Sequence, residues 1–304
     1  MDIRQLILIT ALTLPFNGVA QQQIHLQAGK IQVAAYQAAP LSNPAAGDQF
    51  KGSNFIHPLK TPSGFVVTDS MPEDHPHHFG LWWPWKFVEV QGRKILCWEL
   101  QQGQGIVEAR EHEPIGNGYA THSVYLDRQA ERGPKAILKE TTRITTSPLM
   151  DIPADGYLLD LSITQQCAGD QPVTIPQYRY SGFALRATPR WNKDNSTILT
   201  SAGKDRYGAN KSQAAWIKFE GEADNGSLAG VLMMGHPKNH SFPERLRTWD
   251  KWHNGAIFIN FNPVQDEPWI FSPGKAYTRQ YRLFIYDGTI TADEAEALWQ
   301  EYAG

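Results

Sequence analysis

Two cysteines, Cys97 and Cys167, are all that 304 residues offer. So low a count excludes a small domain stapled by several disulfides and any four-sulfur metal site. Both fall in strand-like stretches, where free buried cysteine is common, so they are expected unpaired, although an oxidising compartment would permit a disulfide. Long apolar runs are missing as well. Past residue 20, charge, glycine or proline interrupts every apolar stretch within about ten residues, and a bilayer needs about 20. No membrane span is expected. An excess of positive charge is also lacking: 28 Lys and Arg stand against 31 Asp and Glu, a net charge of −3. With no basic stripe, nucleic acid is not an expected partner. There is no glycine-rich phosphate loop and no nucleophile elbow.

What is present begins with a leader. Arg4 gives a positive start, Leu6 to Leu14 make a short apolar run, and Phe16 to Ala20 end in the small residues Gly18 and Ala20. This pattern reads as a signal peptide over 1–20 and predicts a periplasmic or secreted protein. No cysteine follows the run, so a bacterial lipid anchor is not indicated. Without a linker, low-complexity stretch or repeat, residues 21–304 read as one domain.

Strand signals recur along that domain. Ile24 to Tyr36 alternates around Gly29, and Phe87 to Val90 turns through Gln91-Gly92 into Ile95 to Trp98. Gly105 to Arg110, Ala136 to Thr146, Gly156 to Gln165, Trp216 to Glu220, Leu228 to Met234, Ala256 to Phe261 and Tyr277 to Tyr286 continue the series. Such spacing without alternating long helices predicts an all-β sandwich or barrel. One helix is predicted at the C-terminus. Thr291 and Glu294 form a capping box, and Ala295, Leu298, Trp299 and Tyr302 share one face.

Chemistry concentrates in the block Asp74-His75-Pro76-His77-His78-Phe79-Gly80-Leu81-Trp82-Trp83. Pro76 forbids a helix interior, and in an extended chain His75 and His77 would share a side opposite His78. With His57 upstream, four of the ten histidines fall within 22 residues, a density suited to proton transfer or to bonding a sugar hydroxyl. Asp74, His75 and His77 are the alternative metal ligands, with distant His236 as another third ligand. A second cluster, His236, Asn239 and Arg245, follows an apolar strand and could address an oxygen-rich ligand. A third contains Tyr180, Arg186 and Arg206, whose guanidinium forks match a carboxylate such as that of a uronic acid. Glu108, Asp160 and Glu220 are candidate carboxylate partners. Ten tryptophans, among them Trp82, Trp83, Trp85, Trp191, Trp249 and Trp252, offer flat faces for sugar rings, although burial in a β core is the ordinary fate of any one of them.

His57-Pro58, Thr61-Pro62-Ser63-Gly64, the histidine block, His236-Pro237 with Asn239, Asn262-Pro263, Pro273-Gly274-Lys275 and Tyr281-Arg282 through Asp287-Gly288 together resemble the methane oxygenase PmoA family. Methane oxidation is not carried over, since the membrane subunit of that name spans the bilayer and this chain has no spanning segment. The C-terminal half is similar to galactose mutarotase-like supersandwich proteins. That resemblance implies a large antiparallel β-sandwich and the sugar epimerases, lyases and hydrolases built on it.

The expectation is therefore a periplasmic or secreted carbohydrate-active protein of glycan breakdown, with a carbohydrate or uronic-acid-containing glycan as partner. His77 and His78 are the candidate general acid or base; His57, His75, Trp82, Tyr180, Arg186, Arg206, His236 and Asn239 are the candidate substrate contacts. No cofactor is expected, with a divalent metal admissible. The alternatives are a non-catalytic glycan-binding protein and a metal-dependent oxygenase or hydrolase.

Overall fold

The computed structural model describes residues 23–148 and 154–304. The leader reading, residues 1–20, lies outside the described residues. Three antiparallel sheets and one α-helix organise the described residues. An eight-stranded sheet runs in the order Ser196–Thr200, Trp216–Glu222, Leu228–Gly235, Tyr277–Asp287, Gly156–Cys167, Lys135–Pro148, Gly118–Asp127 and Gly105–Ile115. A seven-stranded sheet runs Gln23–Ala28, Ile31–Gln37, Phe55–Leu59, Leu81–Trp82, Phe183–Arg186, Phe258–Asn262 and Arg245–Thr248. A four-stranded sheet, Trp269–Phe271, Val173–Ile175, Phe87–Val90 and Arg93–Leu96, closes one flank.

Strict alternation along the strands decides which side chains meet. Leu159, Leu161 and Ile163 of one large sheet, with Phe219, Met233 and Leu283, face Leu81, Phe183, Leu185, Ile259 and Phe261 of the other. This shared layer is the core of a sandwich, as the strand pattern predicts. The intervening residues Leu158, Trp216, Leu232, Met234, Phe284 and Tyr286 point to the far side of the eight-stranded sheet. The helix Ala292–Ala303 covers them with Ala295 and Leu298, and its predicted capping box between Thr291 and Glu294 is formed. One carboxylate, Glu140, is buried between the layers and accepts from Asn54 Nδ2 at 3.0 Å, Trp83 Nε1 at 2.8 Å and Gln165 Nε2 at 2.7 Å. A buried charge so fully bonded ties the two sheets together.

The outer face of the seven-stranded sheet carries the candidate site. Trp82, Ala184 and Phe258 point outward there, packed with Phe55, Trp98 and Trp249. The predicted hairpin is present: Gln91 and Gly92 take φ of 51° and 76° at its turn, and Phe87 pairs with Leu96. Strands Leu81–Trp82 and Phe183–Arg186, which form the middle of this sheet, are too short for alternation to announce them. Cys97 and Cys167 are both free, Cys97 buried and Cys167 half-buried.

Candidate active site

The histidine block is not extended. The His75 N–H donates to Pro72 O at 3.1 Å and the His78 N–H to His75 O at 2.9 Å, so the segment folds into successive turns. Pro76 disfavours the regular alternatives and the turns gather all three rings. The ring of His75 lies 5.4 Å from that of His77 and 4.8 Å from that of His78, and those two are 5.0 Å apart. Two left-handed residues bracket the block, Met71 at φ 53° and Gly80 at φ 67°. A Cβ at Gly80 would stand 2.5 Å from Ile56 O, so only glycine lets the block lie this close to the sheet.

Beside these rings opens a cleft of about 190 Å³. His75, His77 and His78 form one wall. Trp249, Trp252 and Phe258 supply aromatic faces, and Glu99, Tyr180, Arg179 and Arg247 the polar ones. Trp252 is 62% exposed at the rim. It belongs to the turn Trp252–Gly255, where His253 and Asn254 adopt φ of 48° and 58°. Non-glycine residues held in this region cluster at functional sites.

Of the two candidate proton carriers, the surroundings favour His77. His78 is 3% exposed, stacked 4.9 Å from Phe258 and 5.1 Å from Trp82, and burial holds its pKa well below the ordinary value. His77 is only half-buried and reaches the cleft. Burial lowers its pKa from 6.5 to about 4, against the opposing pull of Glu99, so its imidazole is neutral at pH 7.

Glu99 is held in place. Its Oε1 accepts from Tyr180 OH at 2.7 Å, and Lys86 Nζ pairs with Oε2 while bonding Tyr180 OH at 3.0 Å. Burial first, and Glu99 second, push the Tyr180 phenol up, so it stays protonated as a donor. Sequence reading singled out Tyr180 but missed Lys86 and Glu99. The signal was the hairpin: its open end brings Cys97 N–H to Lys86 O at 3.1 Å, so the residues just outside the two strands are neighbours.

Asp74 anchors the other side. Burial would raise its pKa, yet Arg186, bonded to Oδ2 at 2.8 Å, holds it below the ordinary value. His75 Nδ1 and His253 Nδ1 each lie 3.4 Å from the same oxygen. Asp74, His75 and His253 are the one potential metal-ligand group among the described residues, with ligand atoms within 4.8 Å of one another. His253 thus takes the place expected for His77, which faces Glu99 instead. The set admits a metal, but a dication at Oδ2 would stand beside the Arg186 guanidinium, an unfavourable neighbour.

Several expected contacts are placed elsewhere. Trp82 is 2% exposed, so it is the floor beneath His78 and not a stacking face; Trp249, 6% exposed, lines the cleft wall, and Trp252 presents the open ring. His57 sits under Gly80 with Nδ1 3.0 Å from Thr68 Oγ1, off the cleft wall. Arg206 spends its guanidinium on Gly255 O at 2.5 Å, Ser196 O at 3.1 Å and Ser196 Oγ at 2.7 Å, bracing the Trp252 turn. Arg186 stacks 4.8 Å from the Trp249 ring and serves Asp74. His236 packs 5.2 Å from Tyr302 of the helix, on the opposite side of the sandwich. Asn239 is consumed by Glu244 Oε1 at 2.9 Å and by the Gln280 backbone at 2.7 and 2.8 Å. Arg245 pairs with Asp266 at 2.5 Å. Of the candidate carboxylates, Glu108 pairs with Arg110 at 2.7 Å, Asp160 with Arg282 at 2.7 Å and Glu220 with Lys218 at 2.9 Å, none at the cleft.

The chain is thus an all-β sandwich with an aromatic, histidine-lined cleft on one outer face. Residues 23–300 match the family described as a family of unknown function (DUF6807), and the chain belongs to it. This corrects the resemblance to the methane oxygenase PmoA family, which that match does not support. The reason is physical: several of the shared motifs are turns, with Gly64, Gly274 and Gly288 at φ of 97°, 75° and 89°, and turn motifs report backbone geometry before ancestry. No curated protein matches the chain. Among solved structures it is similar to GH36 alpha-galactosidase AgaA from Geobacillus stearothermophilus, with 12% identity and a TM-score of 0.38. The likeness covers 87% of this chain and 40% of that one, and is too distant to carry function. No described helix is long and apolar enough to cross a membrane.

Proposed function

We propose that this protein is an exported, single-domain carbohydrate-active enzyme whose cleft moves a proton on a bound sugar. The observation that carries the reading is one cleft lined by neutral His77, by Glu99 and Tyr180 held by Lys86, and by exposed Trp252. A sugar ring stacks its C–H face on Trp252, and polar groups of the cleft take its hydroxyls. His77 accepts the proton of a sugar hydroxyl as that oxygen's electron pair forms its new bond, and the Glu99 charge stabilises the imidazolium that forms. Tyr180 and Lys86 keep Glu99 oriented. The leader around Arg4 and Leu6 to Leu14 supports export.

The test is a screen of oligosaccharides by mass spectrometry with the wild type and His77→Ala. The reading expects a product from at least one glycan and a loss of about 10²–10⁴-fold in kcat for the variant. Undiminished turnover by His77→Ala would overturn it, and tight glycan binding with no product from any glycan would make the protein a binding module. The pH profile adds a second check. An ordinary histidine base would halve the rate near pH 6.5, whereas His77 expects a constant rate from pH 8 down to about 5.5.

A further inference from the structure

The cleft also carries charge that the proton-transfer reading leaves unused. Arg179 lies on the segment after Val173–Ile175, and Arg247 on the edge strand Arg245–Thr248. Both line the cleft with His77 and Trp252. Arg247 makes one hydrogen bond, from Nη1 to Asn210 Oδ1 at 3.1 Å, and the Arg179 guanidinium rests 5.5 Å from the Tyr180 ring. Among the described residues neither forms an ion pair, whereas Arg186, Arg190, Arg245 and Arg282 each do. Of the carboxylates nearby, Glu99 is committed to Lys86 and Tyr180 and Asp74 to Arg186, while Asp250 acts on Arg247 without forming an ion pair. Burial first, then the field of Arg179, depress the Arg247 pKa, against weaker opposition from Asp250 and Tyr180. Two guanidinium groups thus repel each other in a cleft of a protein whose net charge is −3. Guanidinium forks match carboxylate and sulfate oxygens two at a time, and an anion between them would relieve that repulsion. Arg179 also borders a neighbouring depression that holds Lys211, so the positive surface continues past the cleft.

We propose that the cleft selects an anionic sugar, with its carboxylate or sulfate group held between Arg179 and Arg247 while the ring lies on Trp252. This deepens the functional reading above and rests on it.

Isothermal titration tests this with three probes: a uronic-acid oligosaccharide, the same chain with its carboxyls reduced to alcohols, and a sulfated neutral oligosaccharide. At least one anionic probe is expected to bind tenfold or more tighter than the reduced chain. Which of the two it is identifies the anion. Arg179→Gln and Arg247→Gln, each checked for folding by circular dichroism, should bring that probe to the affinity of the reduced chain. Arg179→Lys should recover part of the difference, because it keeps the charge without the fork. Raising salt from 50 to 500 mM should weaken the anionic probe alone. Equal affinity for all three probes in wild type and variants overturns the proposal. If His77-dependent turnover of neutral glycans persists in that case, the proton-transfer reading stands without it. If no probe binds the wild type and no glycan is turned over, both fall.

Discussion

Both large sheets bury charged and aromatic side chains on their outer faces, and the two faces finish the task differently. On the eight-stranded sheet, Lys218 donates to Glu220 at 2.9 Å and to Ile290 O at 2.5 Å. Glu220 also accepts from Tyr286 OH and Ile290 N–H, each at 2.9 Å, and the C-terminal helix seals the layer. None of these side chains keeps an unmatched buried polar atom. On the seven-stranded sheet no α-helix among the described residues covers the face. Trp82 Nε1, Trp98 Nε1, His78 Nδ1 and the Nε and Nη1 of Arg186 are buried there without a protein partner. Buried polar groups cost free energy unless bonded, so a face that tolerates them is shaped by something other than stability. One face is sealed by the helix, and the other leaves these polar atoms unmatched.

That contrast can be broken by experiment. The largest expected effect is at the open face: Glu99→Gln should lower turnover per folded molecule by about 10²-fold or more, beyond any loss of melting temperature from unpairing Lys86. Unchanged turnover per folded molecule would make Glu99 another Glu220. Next comes the closed face. Glu220→Ala strands Lys218 beneath the helix and should cost about 3 kcal/mol by urea denaturation, with activity per folded molecule unchanged. Third is acid stability. Burial holds His57 and His77 at about 4 in the folded protein, against 6.5 when unfolded. The unfolded chain therefore takes up protons first. Stability is full above pH 6.5 and declines as pH falls toward 4, by on the order of 2 kcal/mol for each histidine. His77→Ala should flatten that decline and Glu220→Ala should not. The smallest effect is at the rim, where Trp252→Ala should weaken glycan binding about tenfold and leave unfolding unaltered.

How far the sequence foretells these faces depends on how local the signal is. The strands Gly156–Cys167 and Tyr277–Asp287 and the capped helix are legible because alternation and capping are written within a few residues. The histidine block is legible as a cluster, since its spacing is tight. Its shape is not, because turns set by Met71 and Gly80 replace the extended chain that alternation assumes. Partnership is the least legible. His236 and Asn239 share residue types with the cleft but belong to the helix side, and His253 reaches Asp74 only through a turn that no local pattern announces. Glu99 looks unremarkable until the hairpin sets it against Lys86.

The order of strands in the seven-stranded sheet has a kinetic consequence. Its central neighbours, Leu81–Trp82, Phe183–Arg186 and Phe258–Asn262, are separated by roughly a hundred and by more than seventy residues of chain. Contacts at such separation form late in folding, after much loop entropy has been lost. The cleft therefore comes into existence only when nearly the whole chain has been threaded into place. A nascent or truncated chain would hold no functional fragment of it, and ligand capture becomes a test of complete folding.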